Sequence, residues 1–216
     1  MKKAFTMLEL VFVIVVVGIL SYFAASSFQR NPLREAADQV VSHIRYTQHL
    51  AMQDDKFDAN DATWYRERWQ IVFNSDAFTN QTWAYTVFSS RNQNANVDVN
   101  EPAKNPSNPS KELTGGYTGY INTNNTLATR ELNLGQYYGV TNIVFSASCQ
   151  FAGSQRISFD YLGRPLKGVP NGFAAIYQAN RLITNDCSIA LIGSDGNVTI
   201  TIKPETGYTY ISSQNY

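Results

Sequence analysis

An uninterrupted apolar stretch near the start of the chain limits its possible folds more than any other feature. Between residues 5 and 28 the only charged side chain is Glu9. As a helix rising about 1.5 Å per residue, these roughly 24 residues are long enough to cross a bilayer. Lys2 and Lys3 precede the stretch and Arg30 follows it, which favours a cytoplasmic N-terminus. The sequence therefore predicts a single-pass membrane helix, with everything after Arg30 outside the cytoplasm.

Glu9 needs an explanation, because a carboxylate inside an apolar span is costly and usually has a partner. In one interpretation Glu9 lies near the helix end and reaches the membrane interface, or stays protonated. The alternative rests on the neighbouring residues. The basic leader ends in the small Ala4, Phe5 opens the apolar run, and Glu9 is the fifth residue counting from Phe5.

This arrangement resembles the prepilin signal of type IV pilins and type II secretion pseudopilins. That signal is a short basic leader, a small residue, then Phe-Thr-Leu-Ile-Glu and an apolar helix. Here it reads Lys2-Lys3-Ala4 followed by Phe5-Thr6-Met7-Leu8-Glu9. The chain departs from the family at two places. Ala4 replaces the usual glycine, and Ser26-Ser27 stand where many major pilins have a helix-kinking proline.

The resemblance implies a processing and assembly pathway. A prepilin peptidase would cut between Ala4 and Phe5, remove the leader (residues 1–4) and N-methylate Phe5. Residues 5–28 would then serve as a membrane anchor and later as the filament core. Glu9 would act in assembly by meeting the Phe5 amine of a neighbouring subunit. The implied partners are the peptidase, other pilin or pseudopilin subunits, and the inner-membrane assembly platform.

Residues 29–216 are predicted to form an exported globular domain, which is large enough for a hydrophobic core. The 17 Lys and Arg residues balance the 17 Asp and Glu residues, so the formal net charge is zero. A nucleic-acid binder would instead show a basic patch, and we do not expect nucleic acid as a partner.

The chain has two cysteines, Cys149 and Cys187, and both lie in the exported part. Outside the cytoplasm such a pair is expected to form a disulfide. In the chain-entropy model, closing a loop of this length stabilises the fold by roughly 4 kcal/mol. Two isolated thiols lack the further ligands that zinc needs, so a metal site is not predicted.

Helical periodicity continues beyond the apolar stretch. Residues at three- and four-residue spacing form a stripe consisting of Leu33, Ala36, Ala37, Val40, Val41, Ile44, Thr47, Gln48 and Ala51. We therefore predict one long helix from residue 5 to about residue 53, bent near Asn31-Pro32. Its first half is apolar all round and its second half is amphipathic, so the second half must pack on the rest of the domain.

After an acidic loop at residues 54–61, the remaining sequence is typical of antiparallel β-structure. The predicted strands are residues 68–73, 82–88, 127–134, 139–146, 156–160, 188–192, 198–202 and 207–211. The Asp195-Gly196 pair indicates a tight hairpin that joins the predicted strands at residues 188–192 and 198–202. Residues 89–118 are predicted to be a long loop with little to bury, of the kind that is functional or mobile. The predicted fold class is α+β.

A second resemblance lies in the C-terminal half. Residues 157–165 read Ile-Ser-Phe-Asp-Tyr-Leu-Gly-Arg-Pro, and an apolar strand and Gly196-Asn197-Val198 follow. This is similar to GspH/FimT-type minor pseudopilins and implies a pilin-like fold, with the long helix packed on an antiparallel sheet. Some FimT-type relatives bind DNA through a Gly-Arg loop. Here Arg164 has only Lys167 as a near cationic neighbour, whereas phosphate affinity needs several cations.

Candidate catalytic and metal-ligating residues are sparse. His43 and His49 lie six residues apart on the predicted helix, so their side chains point about 120° apart and cannot share a ligand. No enzyme is predicted, because a nucleophile, a base and an orienting group are not found together. The carboxylates of residues 54–61, or those of residues 98–101, offer oxygens for calcium. Neither stretch has the spaced glycine-containing loop, so we expect no metal and no cofactor.

These observations favour a structural subunit, of the minor type, in a type II secretion pseudopilus or type IV pilus. It would be anchored in the bacterial inner membrane with its globular domain in the periplasm, and then enter a periplasmic or extracellular filament. The alternative is a membrane-tethered or secreted binding module, such as an adhesin, with an ordinary signal sequence. The small residues Ala24, Ala25 and Ser26 fit a conventional cleavage site. Glu9 and the helix that continues past Pro32 argue against that alternative.

Overall fold

The computed structural model describes residues 6–27, 31–117 and 121–215, with the backbone alone described for residues 24–27. The chain divides into two units, Met1–Asn31 and Pro32–Tyr216. The predicted boundary between residues 28 and 29 lies outside the described residues. Within the described residues the fold is α+β, with three α-helices and ten strands that pair antiparallel.

The helical region is divided into two. Helix α1 spans Met7–Ser27, and helix α2 spans Pro32–Gln53. The continuous helix predicted from residue 5 to about residue 53 is therefore wrong at Asn31, which is not helical. Proline suits the start of α2, because its fixed φ and missing N–H are tolerated at the first helical position.

Helix α2 carries the predicted buried stripe. Its buried residues are Leu33, Ala36, Ala37, Val40, Val41, Ile44, Thr47 and Ala51. Gln48, the remaining predicted member, is half-buried. The three- and four-residue spacing therefore identified the face of α2 that packs on the rest of the unit.

Two four-stranded sheets make up most of the second unit. Their strands are β1 (Trp69–Asn74), β2 (Ala84–Ser89), β5 (Val140–Phe145), β6 (Arg156–Phe159), β7 (Pro165–Lys167), β8 (Cys187–Gly193), β9 (Gly196–Ile202) and β10 (Thr209–Asn215). The first sheet has the order β2-β1-β6-β7 and the second the order β10-β9-β8-β5. Helix α2 packs on strands of both sheets. The main core joins both sheets. It contains the buried face of α2, Ile71 and Phe73 of β1, and Ile189 and Ile200 of the second sheet.

The predicted hairpins are confirmed. Strands β1 and β2 pair in register from Trp69 opposite Ser89 to Asn74 opposite Ala84. Strands β8 and β9 pair through to Gly193 opposite Gly196, so Ser194 and Asp195 form the two-residue loop. Strand β10 forms an edge of the second sheet, as the predicted strand at residues 207–211 anticipated.

The long loop predicted at residues 89–118 is wrong in two respects, and its last residue lies outside the described residues. It contains a small hairpin of β3 (Lys104–Asn105) and β4 (Asn108–Glu112). It also buries side chains, because Val97 packs with Val72 and Phe88 on the face of the first sheet outside the main core. Segments on either side of the hairpin bond to the edge of β2. Residues 89–117, called the insertion below, thus cover a strand edge that would otherwise be open.

The strand predicted at residues 127–134 is also wrong. Residues Arg130–Leu132 form a 3₁₀ turn, and a short helix α3 (Leu134–Tyr138) follows. The reason is Asn133, which is fully buried and caps α3 by accepting a hydrogen bond from the Gln136 amide. Its Nδ2 also donates to the Thr79 carbonyl and to Thr123, so long-range bonds override the local strand pattern.

Candidate functional site

Helix α1 presents apolar side chains in every direction. Leu10 is 54% exposed, Phe12 70% and Ile19 53%, and the other large apolar residues of this segment are also exposed. A helix that is apolar all round is normally covered by lipid or by other protein. Among the residues that the structure describes, no helix is long enough and apolar enough to span a membrane. The span predicted for residues 5–28 extends beyond the described residues at both ends.

Glu9 has a local partner in Thr6. The Glu9 carboxylate accepts hydrogen bonds from the Thr6 backbone N–H at 3.0 Å and from its hydroxyl at 2.9 Å. In return, the Glu9 N–H donates to the Thr6 hydroxyl oxygen at 3.3 Å. This is a capping box, which satisfies two of the free backbone donors at a helix start. Thr6-Met7-Leu8-Glu9 before an apolar run is its sequence signal, which the sequence interpretation of Glu9 had missed.

The predicted processing site lies outside the described residues, because both Ala4 and Phe5 fall there. Thr6 is the first residue whose contacts are described. The capping box begins at Thr6, the second residue after the predicted cleavage point. The assembly role of Glu9 and the methylation of Phe5 stay predictions.

The predicted disulfide between Cys149 and Cys187 is confirmed. Both residues are fully buried, Cys149 in a 3₁₀ turn after β5 and Cys187 at the start of β8. The bond ties together segments that are 38 residues apart in the sequence.

The two histidines have different surroundings. His43 is half-buried, and its Nδ1 lies 2.7 Å from the hydroxyl of the fully buried Tyr85. Gln39 donates to the same hydroxyl and to the Glu131 carbonyl, so the Tyr85 hydroxyl joins two side chains of α2. Burial lowers the pKa of His43 to about 4. His49 is exposed to solvent.

Arg164 is held within its own turn. Its Nε donates to the buried Asp160 carboxylate at 2.8 Å, and its guanidinium lies over the Tyr177 ring. The other Asp160 oxygen accepts from the backbone N–H groups of Leu162 and Arg164. The Phe-Asp-x-x-Gly-Arg pattern thus closes a turn between β6 and β7, and Arg164 is engaged by protein groups.

The candidate calcium stretches use their carboxylates for local structure. Asp54 pairs with Lys56 and accepts from the Trp69 indole, and Asp61 accepts from the Thr63 N–H. Glu101 is buried and accepts from the N–H groups of Arg91 and Asp98. In the part of the chain that the structure describes, three or more His, Cys, Asp or Glu side chains do not cluster in a way that could hold a metal.

A polar groove lies where the insertion meets α2. It consists of two adjoining cavities of about 470 and 440 Å³ that share the wall residues Lys111, Ala128 and Arg130. The first cavity reaches Gln39 and His43 of α2, and the second reaches Gln136 and Tyr137 of α3. No local sequence pattern predicts this groove, because its residues come from three separate segments.

Neither a protein family, nor a curated protein, nor a solved structure matches this chain. The resemblance to pilins and pseudopilins therefore rests on short sequence motifs alone, at residues 5–9, 157–165 and 196–198.

Proposed function

We propose that this protein is a pilin-like subunit of a type II secretion pseudopilus or a type IV pilus. The observation that carries the proposal is helix α1, which is apolar on all sides and exposed in the single chain. Exposed apolar surface of this extent must be covered by lipid or by other protein. A bundle of equivalent helices in a filament provides that cover, and a membrane provides it before assembly.

The second unit is compatible with export. Its buried disulfide is a bond that forms and persists in oxidising compartments such as the periplasm. The proposed location is the bacterial inner membrane with this unit on the periplasmic side, followed by incorporation into the filament. The pilin-like fold and the minor type of subunit rest on the resemblance of residues 5–9 and 157–165.

The processing step tests the proposal directly. We expect the mature chain to begin at Phe5 with an N-methylated amine, when its N-terminal peptide is examined by mass spectrometry. Deletion of the prepilin peptidase should leave residues 1–4 in place. A mature N-terminus near Ser26 would overturn the proposal and support a secreted binding module instead.

The role of Glu9 in assembly must be separated from its role in the capping box. Glu9→Ala removes both the cap and the carboxylate, whereas Thr6→Ala removes the hydroxyl of the cap and keeps the carboxylate. If Glu9 pairs with the amine of a neighbouring subunit, Glu9→Ala should lower recovery in filaments much more than Thr6→Ala. Removing one partner of a buried ion pair typically costs about 3–5 kcal/mol.

The readout is a cell fractionation that scores membrane and filament pools separately. Membrane recovery of Glu9→Ala should be unchanged, because the substitution makes α1 more apolar. Equal loss from filaments in both variants would mean that Glu9 acts as a helix cap. Unchanged filament recovery of Glu9→Ala would refute the pairing.

A further inference from the structure

The polar groove has the size of a ligand site, and its walls carry cationic and amide groups. Each of its two cavities, at about 470 and 440 Å³, lies within the range of small-molecule pockets. The β3-β4 hairpin, helix α2 and the segment around residues 123–131 form its walls. The groove lies entirely in the second unit, so ligand binding there does not require α1 to enter a filament.

Two cations stand at the junction of the cavities. Arg130 is exposed, and within the described residues its guanidinium forms neither an ion pair nor a hydrogen bond. The Lys111 ammonium donates to the Thr126 carbonyl, which leaves two of its three N–H donors for a ligand. The described wall of the second cavity contains no carboxylate. The junction therefore favours an anionic group.

The side-chain amides of the first cavity favour an acceptor-rich ligand. The Asn108 oxygen accepts from the backbone N–H and hydroxyl of Ser110, and the Asn105 oxygen accepts from the Ser107 N–H. Since the oxygens are used in these local turns, the Asn108 NH₂ group is left to donate. Glu131, in the wall of the same cavity, offers an acceptor for hydroxyl groups.

We propose that the groove binds an acidic oligosaccharide, with a uronate carboxylate between Lys111 and Arg130. The hydroxyl groups of the sugar meet the amides and Glu131 in the first cavity. The Tyr137 ring, 39% exposed in the wall of the second cavity, packs against a sugar face. A single-stranded nucleic acid fits less well, because phosphate-backbone affinity depends on several cations acting together.

The test measures binding of uronate tetrasaccharides to the full chain in detergent by isothermal titration calorimetry. The probes are tetragalacturonate and the tetramers of mannuronate and guluronate. We expect Lys111→Gln combined with Arg130→Gln to weaken binding roughly tenfold or more, because two charge-assisted contacts are lost. Methyl-esterified tetragalacturonate should show a similar loss. The matched control, Lys167→Gln combined with Lys203→Gln, removes the same charge outside the groove and should bind normally.

Arg130→Gln alone provides a second test that does not disturb the Lys111 contact, and it should lose part of the affinity. If the native chain binds none of the three tetrasaccharides, the proposal is wrong. Equal weakening in the control variant would also overturn it, because the effect would then depend on net charge. A further outcome is that the chain binds a single-stranded oligonucleotide but no uronate, with that binding lost in the groove variants. This result would overturn the saccharide proposal and identify nucleic acid as the ligand.

Discussion

The side-chain nitrogen of Gln48 lies 2.7 Å from the carbonyl oxygen of Gly163, so helix α2 holds the turn between β6 and β7. The same nitrogen donates to the Thr206 carbonyl at 2.7 Å, in the turn before β10. One amide group of α2 therefore bonds to a turn of each sheet. This contact fixes the two sheets to the same point on the helix.

Replacing Gln48 should loosen this attachment. Gln48→Leu removes both hydrogen bonds while keeping a side chain of similar volume. We expect the free energy of unfolding to fall by about 1–3 kcal/mol, because two carbonyls lose their donor. Urea unfolding of the full chain in detergent measures the change. Gln53→Leu, at the exposed end of the same helix, is the control, and an equal effect in both variants would contradict the prediction.

Gly207 is expected to tolerate no side chain. Its φ is +64°, and a Cβ there would lie 2.5 Å from Gln48 Nε2 and 2.7 Å from the Gly163 carbonyl oxygen. Gly139 is a matched control, because its φ is +73° but a Cβ there would meet nothing within 4 Å. Gly207→Ala should therefore destabilise the protein by roughly 1–3 kcal/mol more than Gly139→Ala, the usual cost of overpacking. Similar unfolding midpoints for the two variants would show that the turn shifts without cost.

Stability should depend on the protonation of His43. Burial lowers its pKa to about 4 in the folded state, against about 6.5 in an unfolded chain. As the pH falls below about 6.5, the unfolded state takes up the proton first, so stability is lost between these two values. The full effect is about 3 kcal/mol.

The measurement is the free energy of unfolding of the full chain at several pH values from 7 to 4. His43→Gln should flatten the decline relative to the native chain, and His49→Gln, which changes the exposed histidine of the same helix, should leave it unchanged. A native chain and a His43→Gln variant with the same pH dependence would contradict the assignment.

The disulfide should contribute substantially to stability. Cys149 and Cys187 are 38 residues apart, and a loop of this size corresponds to about 4 kcal/mol in the chain-entropy model. The purified chain should be lighter than its reduced form by two hydrogen atoms. Unfolding in the presence and absence of reductant gives the energy. An unchanged midpoint after verified reduction would refute the stabilising role.

Several elements could be predicted because their signal is local. The stripe from Leu33 to Ala51 identified the buried face of α2, since helical spacing places those residues on one side. Alternating and β-branched residues identified the β1-β2 and β8-β9 hairpins. The disulfide was predicted because the chain has two cysteines and both were expected outside the cytoplasm, so the fold was not needed.

Other features could not be predicted because they depend on contacts between residues that are far apart in the sequence. Asn133 is buried and donates hydrogen bonds to Thr79 and Thr123. Because of these contacts, the chain begins α3 where a strand was predicted. The insertion was predicted to have little to bury, because its few apolar residues are scattered. In the structure, Val97 packs on the first sheet and Leu113 lies in the main core. The groove likewise needs three segments brought together before it exists.

By itself, the sequence determined the apolar character of residues 5–28, the amphipathic face of α2 and the strands of the two hairpins. Each is expressed in the spacing of neighbouring residues, so the backbone period alone reveals it. Only the tertiary structure decided that Gln48 would bond to Gly163 and Thr206, which are 115 and 158 residues away. Such contacts form because packing brings carbonyl groups from distant parts of the sequence to a half-buried donor. No local sequence pattern indicates which distant residues will meet.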